Sequence, residues 1–114
     1  MAVTLETTYH VAQGPVALTV EIGDGQLGTS RAVLGNKEIA IGEIKNLKLG
    51  DGPRLAGKTL TVKTVVTDVS DQTNHTRVTY RLKGGKSDGT YALDATVEQE
   101  GDSVIYRASF QFEN

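Results

Sequence analysis

The chain contains no cysteine and no tryptophan. Without cysteine there is no disulfide, no thiolate metal site and no cysteine nucleophile. The joint absence also removes the Cys–Trp–Cys pattern of true immunoglobulin domains. No apolar run approaches the length of a membrane span. The opening residues MAVTLETTYH carry neither the basic nor the apolar region of a signal peptide. The chain therefore reads as cytoplasmic if complete, and as secreted if a leader has been removed. An excess of either charge is missing too. Twelve Lys and Arg stand against 14 Asp and Glu, for a formal net charge of -2. Bulk electrostatics thus give no reason to expect nucleic acid or an anionic membrane as partner. No repeat of about 20–50 residues and no low-complexity segment is present.

What remains is enough for one fold. A chain of 114 residues forms a single domain, residues 1–114, and buries roughly two-thirds of its unfolded surface. Its 38% hydrophobic and 23% charged content is that of a globular domain.

Alternation with a period of two runs through the chain. In VTLETTYHV it puts Val3, Leu5, Thr7, Tyr9 and Val11 on one face. In PVALTVEI it aligns Val16, Leu18, Val20 and Ile22, after the turn signal Gly14-Pro15. A weaker strand follows at 29–34. Residues 38–49 read as one bent strand or two short ones, with Gly42 as the interruption. KTLTVKTVVTDV (58–69) is the clearest strand, rich in the Val and Thr that suit a pleated surface. Three more follow, at 76–82, 90–98 and 103–112. The last directs Val104, Tyr106, Ala108, Phe110 and Phe112 inward. No segment has a helical period with caps. The expected fold is therefore all-β: a single-domain antiparallel β-sandwich of about eight strands, immunoglobulin-like or similar in topology. Side-chain sizes propose a register for the last hairpin. Val97 opposes Val104, Ala95 opposes Tyr106, Leu93 opposes Ala108 and Tyr91 opposes Phe110, with Asp94 beside Arg107 outside.

Motifs of chemistry are scarce. KGGKSDG (83–89) suggests a phosphate loop, but GxxxxGK[ST] would place its first glycine at Tyr80, and a strand follows instead of a helix. It reads as a glycine-rich bend between strands. If strands alternate up and down, loops 23–28, 50–57 and 84–89 share one end, bringing Asp24, Asp51 and Asp88 together. Three aspartates with glycine neighbours would offer oxygens to Ca²⁺. Asp-Gly is also ordinary turn chemistry and needs no ligand, so no metal or cofactor is expected. Asp68, Asp71, Asn74 and His75 crowd into DVSDQTNHT, and His10 is the other imidazole, on the face opposite Tyr9. NHT (74–76) fits a glycosylation acceptor only in a eukaryotic secreted context. No GxSxG, HExxH or plausible Ser–His–Asp spacing supports catalysis.

One surface stands out. The outward positions of the C-terminal strands carry Lys63, Arg77, Arg81, Lys83 and Arg107, while most acids lie in loops. Such residues also solvate a sheet and block strand-to-strand pairing. The functional expectation is a non-enzymatic interaction module that binds a protein or carbohydrate partner. The alternative is a structural or assembly subunit of an appendage, capsid or secretion apparatus, self-associating through an edge strand. A calcium-dependent binder or enzyme built on the Asp loops is a third reading.

Overall fold

The structure, a computed structural model, describes all residues 1–114. Nine strands form two packed sheets. They are β1 (Ala2–His10), β2 (Pro15–Ile22), β3 (Leu27–Leu34), β4 (Lys37–Gly42), β5 (Leu47–Asp51), β6 (Thr59–Thr67), β7 (His75–Lys83), β8 (Gly89–Thr96) and β9 (Ser103–Glu113). One sheet has the order β1-β9-β6-β3-β4 and the other β5-β2-β7-β8. The molecule is a β-sandwich, and no helix is long and apolar enough to cross a membrane. One helical turn, α1 (Gly52–Leu55), interrupts the strands; it plugs the core with Leu55, 1% exposed.

Alternation explains the core directly. Leu60, Val62 and Val66 of β6 and Val104, Tyr106, Ala108, Phe110 and Phe112 of β9 are buried. They meet Val16 and Leu18 of β2 and Val78, Tyr80 and Leu82 of β7 from the other sheet. Phe110 packs edge-on to Tyr80 at 6.0 Å and against Tyr91 at 5.2 Å between ring centroids. Most polar groups caught inside find partners, as burial requires. Ser30 and Thr64 share a hydroxyl–hydroxyl bond of 2.8 Å, and Thr76 donates to the Ala95 carbonyl at 2.8 Å.

One expectation is corrected, one left open between two readings is decided, and the antiparallel sandwich has one exception. First, β8 pairs with β7, not with β9, so Asp94 lies opposite Arg77 instead of Arg107. The two last strands belong to different sheets. Second, residues 38–49 are two strands in different sheets, β4 on β3 and β5 on β2. Gly42 (φ 104°) and Asn46 (φ 51°) turn the chain between them, backbone conformations that few side chains accept. Third, β1 runs parallel to β9, so the sheets are not wholly antiparallel.

The extra reversal in 38–49 also rearranges the loop ends. Residues 50–57 and 84–88 lie beside the start of β2, where Gly52 N–H bonds the Gly14 carbonyl and Lys86 N–H bonds the His10 carbonyl. Residues 23–26 follow the other end of β2. There the Gln26 side chain donates to the Thr73 and His75 carbonyls and accepts from Val69 and Ser70. Asp51 and Asp88 thus share one end, and Asp24 sits at the opposite one.

Candidate functional site

The five basic residues singled out from sequence fall on two opposite faces. Arg77, Arg81 and Lys83 project from β7 on the outer face of the four-stranded sheet; Lys63 and Arg107 project from β6 and β9 on the outer face of the five-stranded sheet. On the four-stranded face the two arginines are answered. Arg81 bridges Glu21 at 2.9 Å, and Arg77 reaches Asp94 at 3.5 Å. Lys83, opposite Ala17 at the end of β7, forms no salt bridge.

The five-stranded face is different. Register places Arg31 of β3 opposite Lys63, and Lys63 opposite Arg107. Three cations therefore stand in one row across three adjacent strands. Arg31 is tied to Glu38 of β4. Lys63 and Arg107 form no salt bridge. Like charges set directly opposite each other destabilise a sheet, so the row works against the fold that carries it. Arg31 escaped the sequence reading because the partners of β3 are not visible in its own residues.

The same register fixes the surroundings of the row. Ile105 and Val65 are paired one row further along, both half-buried, and exposed Leu27 lies opposite Thr67 beyond them. On the other side of the row come Ser109 and Thr61, then Gln111 and Thr59, whose side chains are hydrogen-bonded together. The face is thus a cationic row between an apolar strip and a hydroxyl- and amide-rich field that also holds Glu6 of β1, opposite Ser109, and Glu113 of β9, opposite His10. No tyrosine or phenylalanine lies on it, and its one ring is the exposed His10 imidazole at the end of β1. Tyr9, Tyr80, Tyr106, Phe110 and Phe112 are buried, and Tyr91 faces Phe110 across the core.

The glycine-rich segment at 83–89 is a docked bend. Gly84 has φ 98°, and a Cβ there would sit 1.9 Å from the Pro15 carbonyl oxygen. Tyr9 Oη accepts the Gly85 N–H at 2.9 Å and donates to the Ser87 carbonyl at 2.8 Å. Burial pushes the Tyr9 phenol up, and the Gly85 N–H acts in the opposite direction. The Gly85 and Lys86 amides are occupied by the protein itself. Asp24, Asp51 and Asp88 do not come together, and no group of three or more His, Asp or Glu is placed to hold a metal ion.

At the Asp24 end a chain of charges appears instead. His75 Nδ1 lies 2.7 Å from Asp24, its Nε2 lies 3.6 Å from Asp94, and Asp94 contacts Arg77. This links the β2–β3 turn to β7 and β8. Only the β7–β8 pairing brings Asp94 to His75, so the proposed β8–β9 hairpin concealed it. Asp68 is buried, with Oδ1 taking the Ser70 N–H and Oδ2 without a protein partner. Tyr80 Oη is likewise buried and makes no hydrogen bond of good geometry; burial raises its phenol to about 12, and the nearby Thr64 hydroxyl acts in the opposite direction. A groove of about 600 Å³ opens where β4 and β5 stop short of the ends of β3 and β2. Val20, Ile22, Leu27 and Ile44 line it, together with the charged Glu21, Glu43 and Lys45.

Compared with protein-family models, curated proteins and solved structures, the chain matches none.

Proposed function

We propose that the protein is a non-enzymatic binding module and that the outer face of its five-stranded sheet takes an acidic partner. The observation that carries this is the row Arg31–Lys63–Arg107, in direct cross-strand register and with two of its three cations unbridged. An arrangement that opposes folding is retained at a gain elsewhere, and an anionic partner supplies it by neutralising the row. The apolar strip formed by Ile105, Val65 and Leu27 favours a protein over a carbohydrate. Protein interfaces combine an apolar centre with a polar rim, and the row has no tyrosine, tryptophan or phenylalanine beside it on which a sugar would stack.

The test is titration calorimetry with poly-L-glutamate as the protein-like probe and heparin as the glycan probe. Poly-L-glutamate should bind at low salt and weaken steeply as salt rises, because exposed charges are screened over about 8 Å at physiological ionic strength. Lys63→Glu with Arg107→Glu should abolish the signal. Arg81→Glu, on the opposite face and already paired, should leave it intact. Binding that survives the double reversal, or that ignores ionic strength, would remove the proposal; preferential binding of heparin would transfer it to glycans.

A further inference from the structure

We infer that the acidic partner of the cationic row is a second copy of this chain, presented end-on. The inference rests on the binding-module reading above and names its ligand. Residues 23–26, 68–74 and 97–102 carry Asp24, Asp68, Asp71, Glu98, Glu100 and Asp102 and contain no lysine or arginine. All three segments close the same end of the sandwich. Gln26 ties the first to the second, while Asp68 N–H to the Asp102 carbonyl and Val97 N–H to the Asn74 carbonyl tie the second to the third. Asp71, Glu98, Glu100 and Asp102 are exposed and form no salt bridge. The end therefore presents mainly negative charge, with the Met1 amino group its one cation near Glu98 and Asp102, and the row presents positive charge of which only the Arg31 share is answered.

Apolar groups match as well. Val69, 48% exposed, stands among the acids, and Leu27, 65% exposed, stands on the sheet face beside Val65 and Ile105. Size is compatible. The 11 residues of β9 span about 36 Å at roughly 3.3 Å each, so the strands lie along the 45 Å axis and the ends measure about 25 by 21 Å. Five strands spaced about 4.8 Å apart make a face roughly 19 Å wide between its outer strands. One end thus spans the width of the face and about two-thirds of its length, an area of roughly 500 Å² per partner, at the low end of specific interfaces. The contact is weak and salt-sensitive. It is also heterologous: end meets face, so each copy keeps a free end and a free face, and addition does not stop at a dimer.

Light scattering and sedimentation of the purified chain, over a concentration series at low and high salt, test this. At low salt the mean mass should keep rising with concentration past the dimer, and salt should return it to the monomer. Lys63→Glu with Arg107→Glu, and separately Glu98→Lys with Glu100→Lys, should each weaken association at least tenfold. An equimolar mixture of the two variants should associate again, because each supplies what the other lacks. Lys83→Glu with Lys86→Glu makes the same charge change away from both surfaces and should leave association as in the wild type. Urea melts of every variant confirm that these exposed positions leave the fold intact. A chain that stays monomeric at low salt while binding poly-L-glutamate would overturn the second-copy partner and leave the module standing. A monomer that binds neither itself nor poly-L-glutamate would overturn both. An equal loss in the Lys83 and Lys86 variant would reduce the effect to bulk charge and overturn the surface assignment.

Discussion

Replacing Lys63 by methionine should make the protein more stable. The substitution removes the central charge of the row and keeps nearly the same length of side chain. Adjacent strands lie about 4.8 Å apart, and the long side chains of Arg31, Lys63 and Arg107 splay their charges to roughly 8 Å. Two unit charges at that separation in water repel by about 0.5 kcal/mol. Lys63 has two such neighbours, and Glu38 offsets part of the share of Arg31. The relief is therefore about 0.5–1 kcal/mol at low ionic strength. At physiological salt, where the screening length is about 8 Å, it falls to a few tenths. Urea denaturation at two salt concentrations resolves this. With a slope of about 2 kcal/mol per molar urea, the midpoint should rise by roughly 0.3–0.5 M at low salt and by less than half of that at high salt. A methionine variant that is less stable than the wild type, or whose gain does not depend on salt, would show that the row carries no repulsion and would remove the physical basis of the binding face.

Three other outcomes follow from the core and its loops. Phe110→Ala removes a fully buried ring held between Tyr80 and Tyr91; it should cost about 3–5 kcal/mol in urea melts, and a loss under about 1 kcal/mol would contradict the inward assignment. Tyr80→Phe removes a buried hydroxyl that makes no hydrogen bond of good geometry and has only the Thr64 hydroxyl acting on it; it should raise stability by up to about 1 kcal/mol, seen as a melting temperature a few degrees higher. The folded phenol titrates near 12, above the unfolded value of about 10. The stability tied to its proton is therefore complete below pH ~10 and is lost as pH rises through the folded value. Wild-type stability should fall over that window in a pH series of melts, and less so in the phenylalanine variant. Gly84→Ala should cost about 1–3 kcal/mol, because positive φ and contact with the Pro15 carbonyl oppose a methyl group; a neutral result would show that the bend is not docked as described.

Alternation made the inward set legible: Phe110, Phe112 and the even-numbered residues of β6 and β9 are buried as the period-two pattern requires. Exposed His10 beside buried Tyr9 follows from the same period. Pairing was harder to read, and the last hairpin shows why. Size matching set Tyr91 against Phe110, and the two rings do meet. They meet across the core, from opposite sheets, instead of side by side in one. Complementary sizes report proximity without distinguishing a neighbour in the sheet from a neighbour facing it. Residues 97–102, with Gly101 at φ 92°, carry the chain from one sheet to the other. Loop placement failed for a related reason. Counting strand reversals needs the right number of strands, and the break at Gly42–Asn46 adds one. That count separated Asp24 from Asp51 and Asp88. Arg31 joins the site only through the β3–β6 register, a long-range pairing that no local pattern encodes.

The central claim is that one face of the sandwich, and not the other, binds an acidic partner. Backbone amide chemical shifts recorded during titration with poly-L-glutamate, at low salt and at dilutions where the chain is monomeric, test it residue by residue. The largest changes should fall on Arg31, Lys63, Val65, Ile105 and Arg107, with the Arg77–Asp94 and Arg81–Glu21 pairs unmoved. Changes centred on β7, or spread evenly over every lysine and arginine, would contradict the account.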